Sequence, residues 1–229
     1  MGLRRRWWMS FFGLPHGLAG RLGVRLMPRS SRPFHDQIAS GLDLQREDEL
    51  LDVGCGSATL FTDHAGHVRY VAGVDASDLQ LEKARRRLAE RIAEGTAEVV
   101  RGDADDLPWA DGRFSVVTSI NAVKFFPEPL AALREMHRVL RPGGRLAITM
   151  GEAGYAPKGS TEAVVDGFGQ WQWSDIAARR LVEEAGFDDV SITVMPVFSK
   201  ALLARGVKSA ATAVAATPEM ATPSTEIVA

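Results

Sequence analysis

The sequence predicts an α/β fold, a doubly wound and mostly parallel sheet of seven strands with an antiparallel edge strand and helices on both faces. Two observations support this. Short apolar runs bounded by turn residues alternate with longer segments in which apolar residues recur at helical spacing. Such alternation of strand and helix is typical of a parallel sheet covered by helices on both sides. With 229 residues, the chain is long enough for one such domain and too short for two.

Seven strands are predicted, five in the first two thirds of the chain and two near its end. The runs with buried-strand character are Glu49–Val53, Tyr70–Val74, Ala97–Arg101, Phe114–Ile120, Arg145–Met150, Val190–Val194 and Phe198–Ala204. Helical spacing predicts helices over Leu79–Ala93, Leu130–Leu140 and Trp173–Ala185. We expect Ser77 or Asp78 to cap the first helix and Pro142-Gly143-Gly144 to end the second.

Composition divides the chain into a basic and aromatic N-terminal lid segment (1–40), a main domain (41–208) and a disordered tail (209–229). Residues 1–33 contain seven arginines and no acidic residue. The aromatic residues there would pack on the domain as a lid, or would rest on an anionic membrane surface. We favour the lid because membrane-surface helices have a cleaner polar face. The tail is rich in Ala, Thr, Pro and Ser and lacks the periodicity of a packed helix or strand.

The bulk properties exclude several classes of protein. A net charge of −2 argues against a general nucleic-acid binder. Cys55 is the only cysteine, so no intramolecular disulfide can form, as is usual in the cytoplasm, where we expect this protein. No run of about 18 apolar residues predicts a membrane-spanning helix. We predict no metal site.

A glycine-containing turn after the first strand carries the main functional signal. Asp52 ends that strand, and Gly54-Cys55-Gly56 would let the backbone turn sharply and approach a ligand. The second strand ends at Asp75, where a carboxylate can accept hydrogen bonds from ribose hydroxyls. By themselves these features fit NAD as well as other nucleoside cofactors.

Four segments narrow that choice. LLDVGCGSATLF, VAGVDASDLQLEKARRRL, VVRGDADDLPWADGRFSVVTS and LREMHRVLRPGGRLAIT resemble, in order, consecutive motifs of class I S-adenosylmethionine (SAM)-dependent methyltransferases. The resemblance covers about residues 50–150 and is greatest for the ubiquinone- and menaquinone-biosynthesis-like small-molecule group. It implies a Rossmann-like fold and SAM as cofactor. The Gly102-Asp103-Ala104 and Arg141–Gly144 segments have no counterpart of this kind in nicotinamide enzymes.

The resemblance implies roles for nine residues. Asp52, Gly54, Cys55 and Gly56 would lie beside the methionine part of SAM. Asp75 would bind the ribose. Ala76, Asp103 and Ala104 would contact the adenine. Asn121 would lie near the sulfonium. Asp103 has an alternative interpretation as a turn-forming residue in an Asp-rich loop.

The sequence departs from its relatives at three places. Ala58 stands where many have a third glycine, and Ser115 replaces an aspartate at the start of the fourth strand. Val123-Lys124-Phe125-Phe126 stands where relatives often read Leu-His-His-Phe. A histidine base would thus be lost, leaving Lys124 and His35 as weak candidates for a catalytic base.

Aromatic residues would line the site of the methyl acceptor. We expect Phe34, Trp109, Tyr155 and Trp171 on loops at the carboxyl ends of strands or after them, where they could form the floor of a hydrophobic pocket. Trp171 could instead anchor the helix that follows it.

The predicted function is the transfer of a methyl group from SAM to an O, C or N atom of a small, hydrophobic metabolite. Such a transfer requires the donor and acceptor to be aligned and water excluded, and it requires a base only if the acceptor loses its proton early. One alternative is a SAM-binding protein that does not methylate, such as a cyclase, an isomerase or a partner subunit. Another is an RNA or protein methyltransferase. The sequence does not indicate an oligomeric state.

Overall fold

The computed structural model describes residues 35–152, 154, 156–157, 159–167, 169–195 and 201–210. Its strands are β1 Glu49–Val53, β2 Tyr70–Asp75, β3 Ala97–Arg101, β4 Phe114–Ser119, β5 Leu140–Glu152, β6 Val164–Val165, β7 Trp171–Gln172, β8 Asp188–Val194 and β9 Ala201–Val207. Its named helices are α1 Thr59–His64, α2 Asp78–Arg87, α3 Ala89–Ala93, α4 Pro129–Val139 and α5 Asp175–Glu184. Residues 35–42 form a further helical segment, and Val123–Phe125 form a 3₁₀ turn.

The main sheet has seven strands in the order β3-β2-β1-β4-β5-β9-β8. The pairs from β3 to β5 are parallel, whereas β9 runs antiparallel to both of its neighbours. The predicted seven-stranded, mostly parallel sheet with an antiparallel strand at one side is confirmed. The structure adds that β9 lies one position in from the edge, with β8 outside it.

Helices cover both faces of the sheet, because successive strand residues point to opposite sides. On one face, Leu51 of β1 packs in a cluster with Leu133 of α4 and Val182 of α5. On the other, Leu50 packs in a second cluster with Leu60 of α1 and Leu81 of α2. All six residues of β4 are buried, as expected for a central strand enclosed by both helix layers.

The helical segment 35–42 belongs to the second of these clusters. Ile38 is fully buried and Leu42 nearly so, and both pack with the residues of α1 and α2. The predicted division of the chain at residue 40 therefore crosses a segment that contributes to the core. Most of the predicted N-terminal lid and nearly all of the predicted tail lie outside the described residues.

Several predicted elements differ in detail. The last strand was predicted over Phe198–Ala204 and is observed as Ala201–Val207, with residues 196–200 outside the described ones. The predicted helix Leu79–Ala93 is divided at Leu88, whose φ of −100° and ψ of 13° leave the helical region while its side chain stays buried. After the break, α3 has no buried residue. The sequence-derived pattern could not indicate this break, because Leu88 and Ile92 keep helical spacing although only Leu88 is buried.

A further difference concerns Pro142–Gly144, which we expected to end the second predicted helix. Helix α4 ends at Val139, and the chain continues directly into β5 with a bulge, since the pairing moves from Phe114↔Leu140 to Val116↔Arg145. Gly143 has a φ of +75° there and donates its N–H to the carbonyl of Lys208 at 2.7 Å. The glycine thus serves a bulge rather than a free turn. Within the described residues, no helix is long and apolar enough to cross a membrane.

Candidate functional site

The chain order reverses between β1 and β4, and a crevice at the carboxyl ends of such strands is where open α/β sheets bind ligands. The loop after β1 lies at this point. Gly54 and Gly56 have φ of +77° and +54°, and Gly54 donates its N–H to the carbonyl of Val74 at 2.8 Å. A Cβ atom on Gly54 would lie 2.4 Å from Cβ of Ala122, so the loop and the exit of β4 are in close contact. Glycine is favoured at both positions because each has a positive φ, which side chains with a Cβ atom rarely adopt.

Asp75 joins the glycine loop to the end of β2. Its carboxylate accepts hydrogen bonds from the N–H of Gly56 at 2.9 Å and from the N–H of Ser77 at 2.8 Å. Burial raises the pKa of Asp75, and the two N–H donors oppose this rise. The two sequence signals, nineteen positions apart, therefore form one hydrogen-bonded unit.

Asp52 is a second carboxyl group beneath the loop. It is 3% exposed and accepts a hydrogen bond from Oγ1 of Thr118 at 2.7 Å. Burial raises the pKa of Asp52 to about 7, against the effect of the Thr118 hydroxyl, and the negative charge of Asp75 adds to the rise. Near neutral pH this group can therefore exchange a proton with its surroundings.

Cys55 is a buried residue of the same loop. Its Sγ atom would be 2.6 Å from a Cβ on Gly73 of β2, so Gly73 makes room for the thiol. Burial, together with the charges of Asp75 and Asp52, raises the pKa of Cys55. The thiol is protonated and acts in packing. Sequence reasoning missed Gly73, because a glycine inside an apolar strand gives no sign of which neighbour it accommodates.

The exit of β4 closes one side of the site. Asn121 has a φ of +58° and donates its N–H to Oγ1 of Thr149 at 2.6 Å. Thr149 lies on β5 and is buried, and the sequence did not point to it. Ser119 donates its hydroxyl to the carbonyl of Val53 at 2.7 Å, which ties the end of β4 to the end of β1.

The remaining predicted cofactor residues follow β2 and β3 at the same edge of the sheet. Ala76 follows directly after Asp75 and is half-buried. Gly102 donates its N–H to the carbonyl of Asp75 at 3.4 Å, which brings the loop containing Asp103 next to the end of β2. Asp103 is exposed, whereas Ala104 is half-buried against the core.

Of the residues predicted for the acceptor site, Trp171 is linked to the glycine loop through Phe126. Its Nε1 donates to the carbonyl of Phe126 at 3.0 Å, and its ring stacks on Trp173 with centroids 6.2 Å apart. The ring of Phe126 in turn lies near the glycine loop, 3.8 Å from the Cβ position of Gly54. Phe126 and the β6–β7 hairpin that carries Trp171 were not predicted, since strands of two residues have no readable periodicity.

The two candidate bases lie in different surroundings. Lys124 is half-buried in the 3₁₀ turn after β4, with Nζ 5.4 Å from the centroid of the Phe125 ring. His35 is 8% exposed, and its Nδ1 has no hydrogen-bond partner among the described residues. Burial, and then the nearby His64, lower the pKa of His35 to about 4. A group with this pKa is a poor proton acceptor at neutral pH.

Trp109 does not lie at this site, which corrects the sequence-based expectation. Its Nε1 donates to Oε1 of Glu98 at 2.7 Å, and its ring packs edge-on against Phe114 with centroids 5.4 Å apart. Phe114 is the first residue of β4, so Trp109 lies toward the amino ends of the strands, where it stabilises the opposite edge. Phe34 and Tyr155 lie outside the described residues.

Comparison with known proteins is consistent with this geometry. Residues 51–148 match a family model described as a methyltransferase domain. The chain is 34% identical over 170 residues to the methyltransferase GfsG of Streptomyces halstedii, an alignment that covers 69% of this chain and 59% of that protein. It is 36% identical over 116 residues to a demethylmenaquinone methyltransferase of Staphylococcus epidermidis, covering 48% of this chain and 46% of that protein.

A solved SAM-dependent methyltransferase from Aquifex aeolicus has the same fold, with a TM-score of 0.61, 18% identity, and coverage of 82% of this chain and 98% of that one. The chain spans less than two thirds of the length of the two curated relatives named above. The match over residues 51–148 thus identifies a methyltransferase domain, in agreement with the class I SAM-dependent methyltransferases that the sequence resembles.

Proposed function

We propose that this protein transfers a methyl group from SAM to an O, C or N atom of a small, hydrophobic metabolite. The observation that carries the proposal is the unit formed by Asp75 and the glycine loop, located where the order of the strands reverses. The curated relatives support a small acceptor, since one of them is a methyltransferase acting on demethylmenaquinone.

The residues at this edge of the sheet fit SAM. Gly54 and Gly56 leave a backbone surface without side chains, against which the methionine part could lie. Each oxygen of Asp75 already accepts one N–H, and a carboxylate has about four acceptor positions, so two remain for the ribose hydroxyls. Ala76, Asp103 and Ala104 would then lie on the adenine side, and Asn121 near the reacting sulfur. When bound, SAM supplies a methyl group that is activated by the positive charge on its sulfur.

The contribution of this chain is to bind, orient and exclude water. The carboxyl groups of Asp52 and Asp75 would make the pocket favourable for a cation, and binding one would favour the ionised form of Asp52. Phe126 and Trp171 would keep the acceptor side apolar and dry. The low pKa of His35 makes it a poor base at neutral pH, so the proposal gives it no part in proton transfer.

The proposal also covers partners and location. We expect a small-molecule acceptor, no nucleic-acid partner and a cytoplasmic location, which the single cysteine and the near-neutral charge balance support. Peripheral membrane contact would depend on the N-terminal segment, which lies outside the described residues.

The first test is calorimetric titration with S-adenosylhomocysteine, the product left after methyl transfer. We expect micromolar binding by the wild type and a loss of at least about tenfold in the Asp75→Asn variant, because hydrogen bonds to a charged group contribute about 1.5–3 kcal/mol. Asp105→Asn, on the exposed loop after β3, is the matched control and should bind as the wild type does. Absence of binding by the wild type would rule out the proposal.

The second test is incubation with SAM and a panel of hydrophobic phenols, enols and amines, followed by mass spectrometry. A product heavier than its parent by one methylene group is the expected result. Retention of SAM without any such product would instead indicate a protein that does not methylate. Salt-dependent binding of RNA in a gel-shift titration would indicate a macromolecular substrate.

A further inference from the structure

The junction between the glycine loop and α1 has no side-chain cap. Ala58, the residue before the helix, has a φ of 61° and a ψ of 32°, a left-handed conformation that costs a residue with a Cβ atom roughly 1–2 kcal/mol. It offers no side-chain cap to the first turn of α1. The helix has only six residues, and short isolated helices are marginal in water.

Arg87, the last residue of α2, supplies contacts to this junction. Its Nη1 lies 2.9 Å from the carbonyl oxygen of Ser57, 2.8 Å from the Ser57 hydroxyl and 2.9 Å from Oγ1 of Thr59. Side chains on a helix lean toward its N-terminus, so the guanidinium extends back to the carboxyl edge of the sheet. One cation thus bonds to the residues on both sides of Ala58.

Charge alone would not favour this arrangement. The N-terminus of a helix carries a partial positive charge, and a cation there is unfavourable. The contacts of Arg87 with three oxygen atoms offset that cost, since hydrogen bonds from a charged donor are about twice as strong as neutral ones. The contacts of Arg87 therefore act by holding the loop in one conformation and not by complementing the charge of the helix end.

A second arginine holds the other end of the same helix. Arg91 donates from Nη1 to the carbonyl of Ala65 at 2.9 Å and from Nη2 to the carbonyl of Val68 at 2.8 Å. The two arginines thus fix α1 at both ends against α2 and α3. Only Arg87 reaches the loop that leads to Gly56 and Asp75.

We propose that Arg87 is a positioning residue for the cofactor loop. By holding Ser57, it fixes the backbone of the adjacent Gly56, whose N–H donates to the carboxylate of Asp75. Arg87 does not touch the cofactor and acts through the loop. This inference rests on the proposed function, because it concerns the same SAM site.

The test is the dissociation constant of S-adenosylhomocysteine for Arg87→Ala and Arg87→Lys. We expect about tenfold weaker binding for Arg87→Ala, equivalent to about 1.4 kcal/mol, with most of the loss recovered in Arg87→Lys, whose ammonium can still donate to Ser57. Arg86→Ala is the matched control, because Arg86 is an exposed neighbour that pairs with Glu82 and should leave binding unchanged. Wild-type affinity in Arg87→Ala overturns the inference, as does failure of Arg87→Lys to recover any of the loss.

A double-mutant cycle separates positioning from general stability. Thr59→Val removes one of the three oxygen atoms, and its effect on binding should be smaller in the Arg87→Ala background than in the wild type. Additive effects would mean that the two residues act independently, and the inference would fail. These outcomes differ from a failure of the proposed function, in which the wild type itself would not bind S-adenosylhomocysteine.

Discussion

Asp52 illustrates how burial changes the chemistry of a single residue. Its carboxyl group lies beneath the glycine loop with the Thr118 hydroxyl as donor, and burial raises its pKa to about 7. The charge of Asp52 therefore changes within the pH range in which most enzymes are studied. A cationic ligand in this pocket would bind better to the ionised form.

We predict that SAM binding strengthens as the pH rises through the pKa of Asp52. Between about pH 6 and pH 8 the dissociation constant should fall about tenfold, since the proton must leave before the carboxylate can stabilise a positive charge. S-adenosylhomocysteine, which is neutral at sulfur, should show a smaller change. Titrations across this range would give both slopes. If the dissociation constant of SAM still depends on pH in the Asp52→Asn variant, another group is responsible.

His35 should make stability depend on pH in the opposite direction from a buried acid. Its folded-state pKa, about 4, lies below the ordinary histidine value of 6.5, so the unfolded chain binds the proton more tightly. The stabilisation is complete above pH 6.5 and is lost as the pH falls toward 4. Its neighbours have smaller effects on this pKa: His64 lowers it further, whereas Asp63 and Asp36 raise it.

Relative to His35→Phe, we expect the wild type to lose about 2 kcal/mol of unfolding free energy between about pH 7.5 and pH 5. Urea unfolding at the two pH values gives this difference directly, and effects from other groups cancel in the comparison. His67→Gln, at an exposed histidine, should follow the wild type. Parallel curves for wild type and His35→Phe would show that His35 is not buried as described.

Ser115 shows what a single residue in the sequence cannot reveal. The family that the sequence resembles often has an aspartate here, and the neighbouring sequence gives no sign of the contacts that Ser115 makes. In the structure its hydroxyl donates to Oδ1 of Asp48 at 2.7 Å and accepts from the N–H of Glu49 at 2.9 Å, while Asp48 pairs with Arg145 at 2.5 Å. The Ser115 hydroxyl thus bonds to a carboxylate just before β1, 67 positions away along the chain.

At the scale of elements, the sequence predicted those whose pattern and burial agree. Strands β1, β2 and β4 are largely buried runs bounded by turns, and α4 and α5 have one apolar stripe each, so their positions could be predicted closely. The break at Leu88, the bulge at Gly143 and the β6–β7 hairpin could not. Each depends on a tertiary contact, such as the bond between Gly143 and Lys208, that has no local signature.

The β6–β7 hairpin should affect the acceptor and leave the cofactor unaffected. Trp171→Phe keeps an aromatic ring and removes the hydrogen bond to the carbonyl of Phe126. We expect unchanged binding of S-adenosylhomocysteine and a fall of about tenfold in kcat/KM for the acceptor found by mass spectrometry, because the floor of its pocket would be less well fixed. Val165→Ala, at an exposed position of the same hairpin, should leave both values unchanged. A loss of cofactor binding in Trp171→Phe would contradict this division of the site.

At the scale of the whole molecule, the residues predicted to bind the cofactor lie near one another, whereas those predicted for the acceptor do not all do so. Asp52, Gly56, Asp75 and Asn121 all lie at the carboxyl edge because the topology brings the ends of parallel strands together. The acceptor side is formed by later segments whose positions depend on side-chain packing, as with Trp171. The prediction for Trp109 was wrong because the loop between β3 and β4 leaves the carboxyl edge of the sheet and runs back to the amino edge, where Trp109 packs on Phe114.

The division of the chain near residue 40 can be tested at this scale. We expect a chain that begins at residue 43 to be less stable than one that begins at residue 35 by about 3–5 kcal/mol, because it lacks the buried side chains of Ile38 and Leu42. Urea unfolding of the two chains measures the difference. Equal stability would mean that residues 35–42 form a separable lid, as the sequence-derived boundary implies.

The order of the strands also has a consequence for folding. The bond from Ser119 to Val53 joins residues that are 66 positions apart, and closing so long a loop costs conformational entropy that other contacts must offset. The pairs β1–β2 and β2–β3 are closer in sequence and can form earlier. A pocket at the seam between β1 and β4 exists only when the two parts of the chain are joined, and a ligand bound there would stabilise the folded chain by holding them together.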